Sequence, residues 1–400
     1  MNHKLFFLFF ILSYHIIGQE IDSIIPNTIY HKIHSENLNS ERKITIQLPR
    51  NYNINEENRY PVVYVFDGHY LFDLAAGNFN YMSFWNYVPN VIVVGIDQLN
   101  SRYNDVNILD NINYTPISST AKFFEFISNE LIPYIDSNYR TTNFRVAIGN
   151  ESTANFINFF LIRKKTSIID GYILISPKYS ERMQENVQEY LKSVSKQIFY
   201  YVSTSTDDFT SISKNVFDFN KRLDSLKNDN VKYKLQNLEN FPNSLFKSEF
   251  SHFNLASYTI PYSIADMFSL YRDISKKEYD SIILNLKTSP VKYLEEKYQR
   301  ISEIYGIYKN ISINDFMKIE DYIEETEKFN FFKDLSKLAM INYKETILPS
   351  YYMGRYYEET GNPRKAMHVY RSAYILEDFI QISKDYLMQR ADAIEDDFDY

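Results

Sequence analysis

Phe144-Arg145-Val146-Ala147-Ile148-Gly149-Asn150-Glu151-Ser152-Thr153-Ala154-Asn155 is an apolar run that passes through a glycine and continues into Phe156-Ile157-Asn158-Phe159-Phe160. The first part has the length and make-up of a buried strand and the second that of a helix, so the stretch predicts a sharp strand-to-helix turn. Such a turn lifts one side chain above the end of a sheet. Here that side chain is Glu151.

Working outward, Lys43 to Leu48 alternates apolar and polar residues, while Pro61 to Phe66 and Val91 to Ile96 are continuous apolar runs. Alternation suits a half-buried strand, and continuous runs suit strands covered on both faces. Between Ala121 and Tyr139, Phe123, Phe124, Phe126, Ile127, Leu131, Ile132 and Ile135 recur at helical spacing. Downstream come strand-like Gly171 to Ile175, Ile198 to Val202 and Val231 to Leu238, then a closing helix over Tyr258 to Tyr271. This order predicts an α/β fold, a mostly parallel sheet with helices on both faces. From Lys276 onward no strand-like run occurs, and Ser289-Pro290, Pro349 and Pro363 punctuate helical segments. The boundary falls near residue 275, with an α/β domain over 19–275 and an all-helical domain over 276–400. Within the latter, Met353, Gly354, Tyr357, Gly361, Ala366, Tyr370 and Ala373 have the spacing of one tetratricopeptide-like repeat at about 347–380. One repeat needs neighbours to bury its faces, and it reads either as a helical brace or as a groove for a protein partner.

The chain has 400 residues, 44% hydrophobic and 24% charged, which is ordinary for a folded protein. Its nine glycines are few, so each is expected where the backbone needs it. Residues 1–18 combine Lys4, the apolar run Leu5 to Leu12 and Ile16-Ile17-Gly18. That pattern predicts a cleaved signal peptide and an exported, periplasmic or envelope-associated protein; the alternative is an uncleaved anchor with the same topology. With no cysteine there is neither a disulfide nor a thiol nucleophile. A net charge of -8 and an acidic end from Glu395 argue against a nucleic-acid partner. The seven histidines are scattered with no H-E-x-x-H, and no Gly-rich phosphate loop follows a strand, so neither metal nor cofactor is expected.

Several collinear pieces resemble the esterase family of α/β-hydrolases that includes enterochelin esterases, S-formylglutathione hydrolases and feruloyl or acetyl-xylan esterases. They are Arg42 to Pro49, Tyr60 to Gly68, Val93 to Ile96 with Arg102-Tyr103-Asn104-Asp105, Phe126 to Arg140, and Ser176-Pro177. The resemblance covers about residues 41 to 273. It implies a Ser-His-Asp triad with the serine in G-H-S-x-G-G, a motif that falls on Gly149 to Ala154 and puts Glu151 at the nucleophile position. No glycine in the chain is followed two residues later by Ser or Cys. Ser152, the nearest hydroxyl, is turned by about 100° at a helix start. The resemblance further places the base at His252, on a loop before the closing helix, and the acid at Asp208, with Asp207 the alternative. Oxyanion-hole N–H groups are implied at Gly68, His69 and Ser152.

A carboxylate beside His252 favours imidazolium and removes the free base that acyl transfer needs. The reading is therefore an esterase-fold pseudoenzyme, silent or very weak, whose pocket holds a small ester or other ligand or whose C-terminal helices bind a protein. The alternatives are an active carboxylic ester hydrolase using Ser152 with His252 as base, Glu151 as a carboxylate nucleophile, and a scaffold within an envelope complex.

Overall fold

The computed structural model describes residues 27–54, 56–163, 167–238, 251–380 and 382–398. The predicted signal peptide, 1–18, and the last two residues of the acidic end lie outside them.

Eight strands form one sheet: β1 (Thr28–Ser35), β2 (Ser40–Gln47), β3 (Tyr60–Val65), β4 (Ile92–Ile96), β5 (Thr141–Asn150), β6 (Gly171–Ile175), β7 (Ile198–Thr204) and β8 (Val231–Asn237). Their spatial order is β1-β2-β4-β3-β5-β6-β7-β8. The pairs β1/β2 and β2/β4 are antiparallel and the rest are parallel. Every residue of β3, β4, β6 and β7 is buried, as strands covered on both faces require. The edge strand β1 escapes a reading of the sequence because its face alternates between exposed and half-buried and carries little apolar signal.

Four helices frame the site: α1 (Gly68–Phe84) after β3, α2 (Arg102–Val106) after β4, α3 (Ser152–Ile157) after β5 and α4 (Ser251–Met267). Two predicted helices need correction. The one over 121–139 is three pieces, Ser118–Glu125, a π turn at Phe126–Leu131, and Ile132–Asn138. The closing helix starts earlier than Tyr258, at Ser251, and runs through Pro261 to Met267.

One core layer, with Tyr64, Phe66, Phe123, Phe156, Tyr172 and Tyr200, covers one face of the sheet. The other contains Val63, Phe144, Tyr201 and Phe268 and runs without a break into Tyr305, Phe316, Tyr352 and Tyr370 of the C-terminal helices. Those helices thus share a core with the sheet. Tyr305 makes the join: its ring meets Phe144 edge-on at 5.1 Å and its hydroxyl donates to the Met267 carbonyl at 2.7 Å. Next to it, Gly306 has φ +68, and an added Cβ would lie 2.9 Å from the Thr142 side chain. Buried Asp315 accepts from the Ile274 N–H at 2.5 Å and from the Tyr298 hydroxyl at 2.9 Å, tying the connecting segment down. The repeat-like window folds as paired helices, Leu348–Glu359 and Pro363–Ser372, in which the Tyr370 ring occupies the space a side chain at 354 would need. The helical region thus meets the start of β5, while Glu151 follows its end, about 30 Å away at strand rise.

Candidate active site

Between β5 and α3, Glu151 has φ 49 and ψ -109, a conformation that costs an L residue on the order of 1–3 kcal/mol. The surroundings hold it there. Its N–H donates to the Ile175 carbonyl at 2.9 Å, and its carbonyl accepts from the N–H groups of Asn155 at 3.0 Å and Lys178 at 3.1 Å. Gly149 is obligatory, because a Cβ would lie 2.8 Å from the Ala154 nitrogen. Thr153 stands where the resembled motif has a glycine. Its hydroxyl accepts the Asn150 N–H at 2.8 Å and donates to Asp67 Oδ2 at 2.7 Å, so the added side chain stitches the turn.

His252 sits in the first turn of α4, a correction to the loop expected from sequence, and its side chain is only 9% exposed. Nδ1 lies 2.6 Å from Asp208 Oδ1 and Nε2 lies 3.1 Å from Glu151 Oε1. Asp208, in the loop after β7, is buried and also accepts from Ser176 Oγ at 2.7 Å, Thr204 Oγ1 at 2.9 Å and the Phe209 N–H at 2.7 Å. Asp207 is exposed. The structure therefore brings Glu151, His252 and Asp208 into one line.

Arg102 extends that line on the other side. It donates from Nε to Asp67 Oδ1 at 2.7 Å and from Nη2 to the Asn150 carbonyl at 2.9 Å, and its Nη1 is 3.5 Å from Glu151 Oε2. The result is a chain of alternating charge, Asp67, Arg102, Glu151, His252, Asp208. Burial disfavours the imidazolium, but hydrogen bonds to Asp208 and Glu151 and their charges outweigh it and push His252 up to about 9. The hydrogen bond from His252 holds the Glu151 carboxyl low against burial, with help from the Arg102 charge. Burial works against the Asp208 charge as well, yet bonds from His252, Ser176 and Thr204 keep its carboxyl low. At neutral pH the site holds an imidazolium between two carboxylates.

Ser152 is the first residue of α3 and is 9% exposed. Among the described residues it makes no hydrogen bond to His252, whose Nε2 faces Glu151. Gly68, at the start of α1, has no room for a side chain, since a Cβ would be 2.6 Å from the Ile96 nitrogen. First-turn N–H groups such as those of Gly68, His69 and Ser152 have no partner within their own helices. A cleft of about 510 Å³ opens above the charged line. Tyr70, Arg102, Asn150, Glu151 and His252 give it a polar floor, and Leu71, Leu74, Ile175, Phe253 and Ala256 apolar walls. Gly68, His69 and Ser152 do not line it, and neither does any described residue after Ser257. No group of metal-binding side chains occurs among the described residues. No helix among them is long and apolar enough to cross a membrane.

Sequence reasoning missed the part played by Arg102, Asp67, Tyr70 and Ser176. Arg102, Asp67 and Ser176 lie in stretches that carry the family resemblance, but spacing alone does not say which side chain faces which.

Residues 35–156 match the family model described as "Putative esterase". The chain is 24% identical over 201 residues to uncharacterized protein YjcH of Bacillus subtilis (strain 168), covering 49% of this chain and 80% of that one. Among solved structures, an uncharacterised protein from Capnocytophaga ochracea DSM 7271 superposes with a TM-score of 0.82 at 25% identity, over 92% of this chain and all of the other. That coverage takes in the helical extension. An IroE-like serine hydrolase from Shewanella oneidensis gives 0.56 at 19% identity, over 78% of this chain and 98% of its own, a likeness of fold.

Proposed function

We propose that this chain, whose α/β domain belongs to the esterase family of α/β-hydrolases, no longer carries out acyl transfer at an appreciable rate and uses its cleft to hold a ligand. One observation carries this reading: a carboxylate occupies the strained apex of the elbow and lies 3.1 Å from the imidazole nitrogen that would have to take a hydroxyl proton. A serine mechanism needs that nitrogen neutral and facing the nucleophile. Here it carries a proton at neutral pH and faces Glu151. The negative charge at the apex also opposes the oxyanion that must develop beside it. Loss of a triad nucleophile lowers kcat by roughly 10⁶-fold in comparable enzymes. In the same reading the chain is exported, the leader being residues 1–18. The C-terminal helices, at the far end of the sheet, leave the cleft open and offer a surface for a protein partner.

The test is turnover of p-nitrophenyl acetate and butyrate together with labelling by a fluorophosphonate. Wild-type protein is expected to match buffer hydrolysis and to remain unlabelled. Robust turnover abolished by Ser152→Ala would overturn the proposal, and a covalent substrate adduct on Glu151 would replace it with carboxylate catalysis. Glu151→Ser, which puts a hydroxyl beside the existing His252–Asp208 pair, is expected to gain fluorophosphonate labelling.

A further inference from the structure

Six of the described glycines have a contact that a Cβ would bring to 2.9 Å or less, and Gly361 has φ +76. Gly77 has neither reason. It lies inside α1, and a Cβ there would meet nothing within 4 Å. A glycine in a helix interior is destabilising relative to alanine, so the isolated chain gains nothing from it.

The residues around Gly77 are unusual too. Tyr70, Tyr81, Phe84 and Trp85 are 46%, 68%, 57% and 65% exposed, and Asp73 and Gly77 are exposed between them. Asp73 and Tyr81 stand four residues either side of Gly77, and Tyr70 and Phe84 stand seven either side. At about 100° per residue all four lie within about 40° of the Gly77 direction, so they form one stripe. Trp85, the chain's single tryptophan, flanks the stripe with its ring 5.2 Å from that of Phe84.

We propose that this stripe is the two-fold contact of a homodimer, with two α1 helices crossing antiparallel at Gly77. A two-fold axis through that residue sets position 73 of one copy opposite 81 of the other, and 70 opposite 84. Both pairs are chemically complementary. The Tyr81 hydroxyl can donate to the Asp73 carboxylate, and neither side chain makes a hydrogen bond among the described residues. The Tyr70 and Phe84 rings stack as an aromatic pair. A glycine at the crossing point lets the two backbones approach. The four aromatic side chains present on the order of 500 Å² per copy, so two copies reach the roughly 1,000 Å² at which a specific interface begins. Tyr70 also lines the cleft, so Phe84 of the partner subunit would stand at its rim. The dimer is independent of whether the cleft is catalytic.

Because the chain has no cysteine, Gly77→Cys can form a disulfide only between copies. Mild oxidation is expected to give a covalent dimer at least tenfold faster than Lys221→Cys, a control position whose native side chain is 75% exposed. Sedimentation of the full chain is expected to show a concentration-dependent dimer. Gly77→Arg is expected to abolish that dimer while leaving the melting temperature unchanged or higher, because arginine is the better helix former and has room in the monomer. A chain that stays monomeric at high micromolar concentration overturns the proposal, as does a dimer that survives Gly77→Arg. So does Gly77→Cys cross-linking no faster than the control, or a monomer that uses this face only for a different protein.

Discussion

The two ends of β5 are held by different forces. At its start Phe144 packs edge-on against Phe199, Phe268 and Tyr305, all buried, where the C-terminal helices meet the sheet. At its far end Glu151 sits in a strained turn between an arginine and a histidine, each of which is tied to a second carboxylate. Aromatic packing depends on volume and is indifferent to proton activity. A line of ion pairs depends on the protonation of each member, so the same strand has a pH-insensitive end and a pH-sensitive one.

The largest expected effect is at the packed end. Tyr305→Ala removes a buried ring and its bond to the Met267 carbonyl, and should lower unfolding free energy by about 3–5 kcal/mol in urea titrations. The loss should be equal at pH 6 and pH 9; a pH-dependent loss would mean that the two ends are coupled.

At the charged end the expectation is a smaller loss with a defined pH window. His252 has its folded value raised to about 9, above its ordinary value of 6.5. The folded state therefore holds its proton more tightly than the unfolded chain does. The stabilisation is complete below about pH 6.5 and disappears as pH rises through about 9, an amplitude of roughly 2–3 kcal/mol once solvent screening of the partly exposed site is taken off the full shift. Urea unfolding as a function of pH reads it directly. Glu151→Gln should flatten the curve and bring the imidazole titration, followed by NMR, towards neutrality. An unchanged titration in that variant would show that Asp208 alone holds the proton.

The smallest effect separates strain from charge at one residue. Glu151→Ala and Glu151→Gly both lose the ion pairs, but glycine accepts φ 49 without penalty. The glycine variant should be the more stable of the two by about 1 kcal/mol. Equal stabilities would show that the turn carries no strain.

Much of the α/β fold was legible because buried parallel strands leave continuous apolar runs, as at Val62 to Val65 and Ile173 to Ile175. The edge strand Thr28–Ser35 was not, since an exposed edge needs no such run. His252 was legible as a residue but its helix was not: Ser251 to Met267 has a weakly amphipathic pattern and an internal Pro261. Asp208 and Asp207 were indistinguishable in sequence, because burial of one and exposure of its neighbour follow from the course of the loop after β7. Arg102 was visible only as part of a resemblance.

From the order of residues alone came the alternating strand and helix pattern, the helical C-terminal region and a carboxylate where the resembled family has serine. Those properties are local, and periodicity or a single substitution records them. Only the tertiary structure decided that Asp67, Arg102, Glu151, Asp208 and His252 form one line of alternating charge, and that the helical region packs on the opposite end of the sheet from it. Coulomb and hydrogen-bond energies change over a few ångströms and with burial. Residues brought together from five separate places along the chain have no such distances until the sheet is assembled.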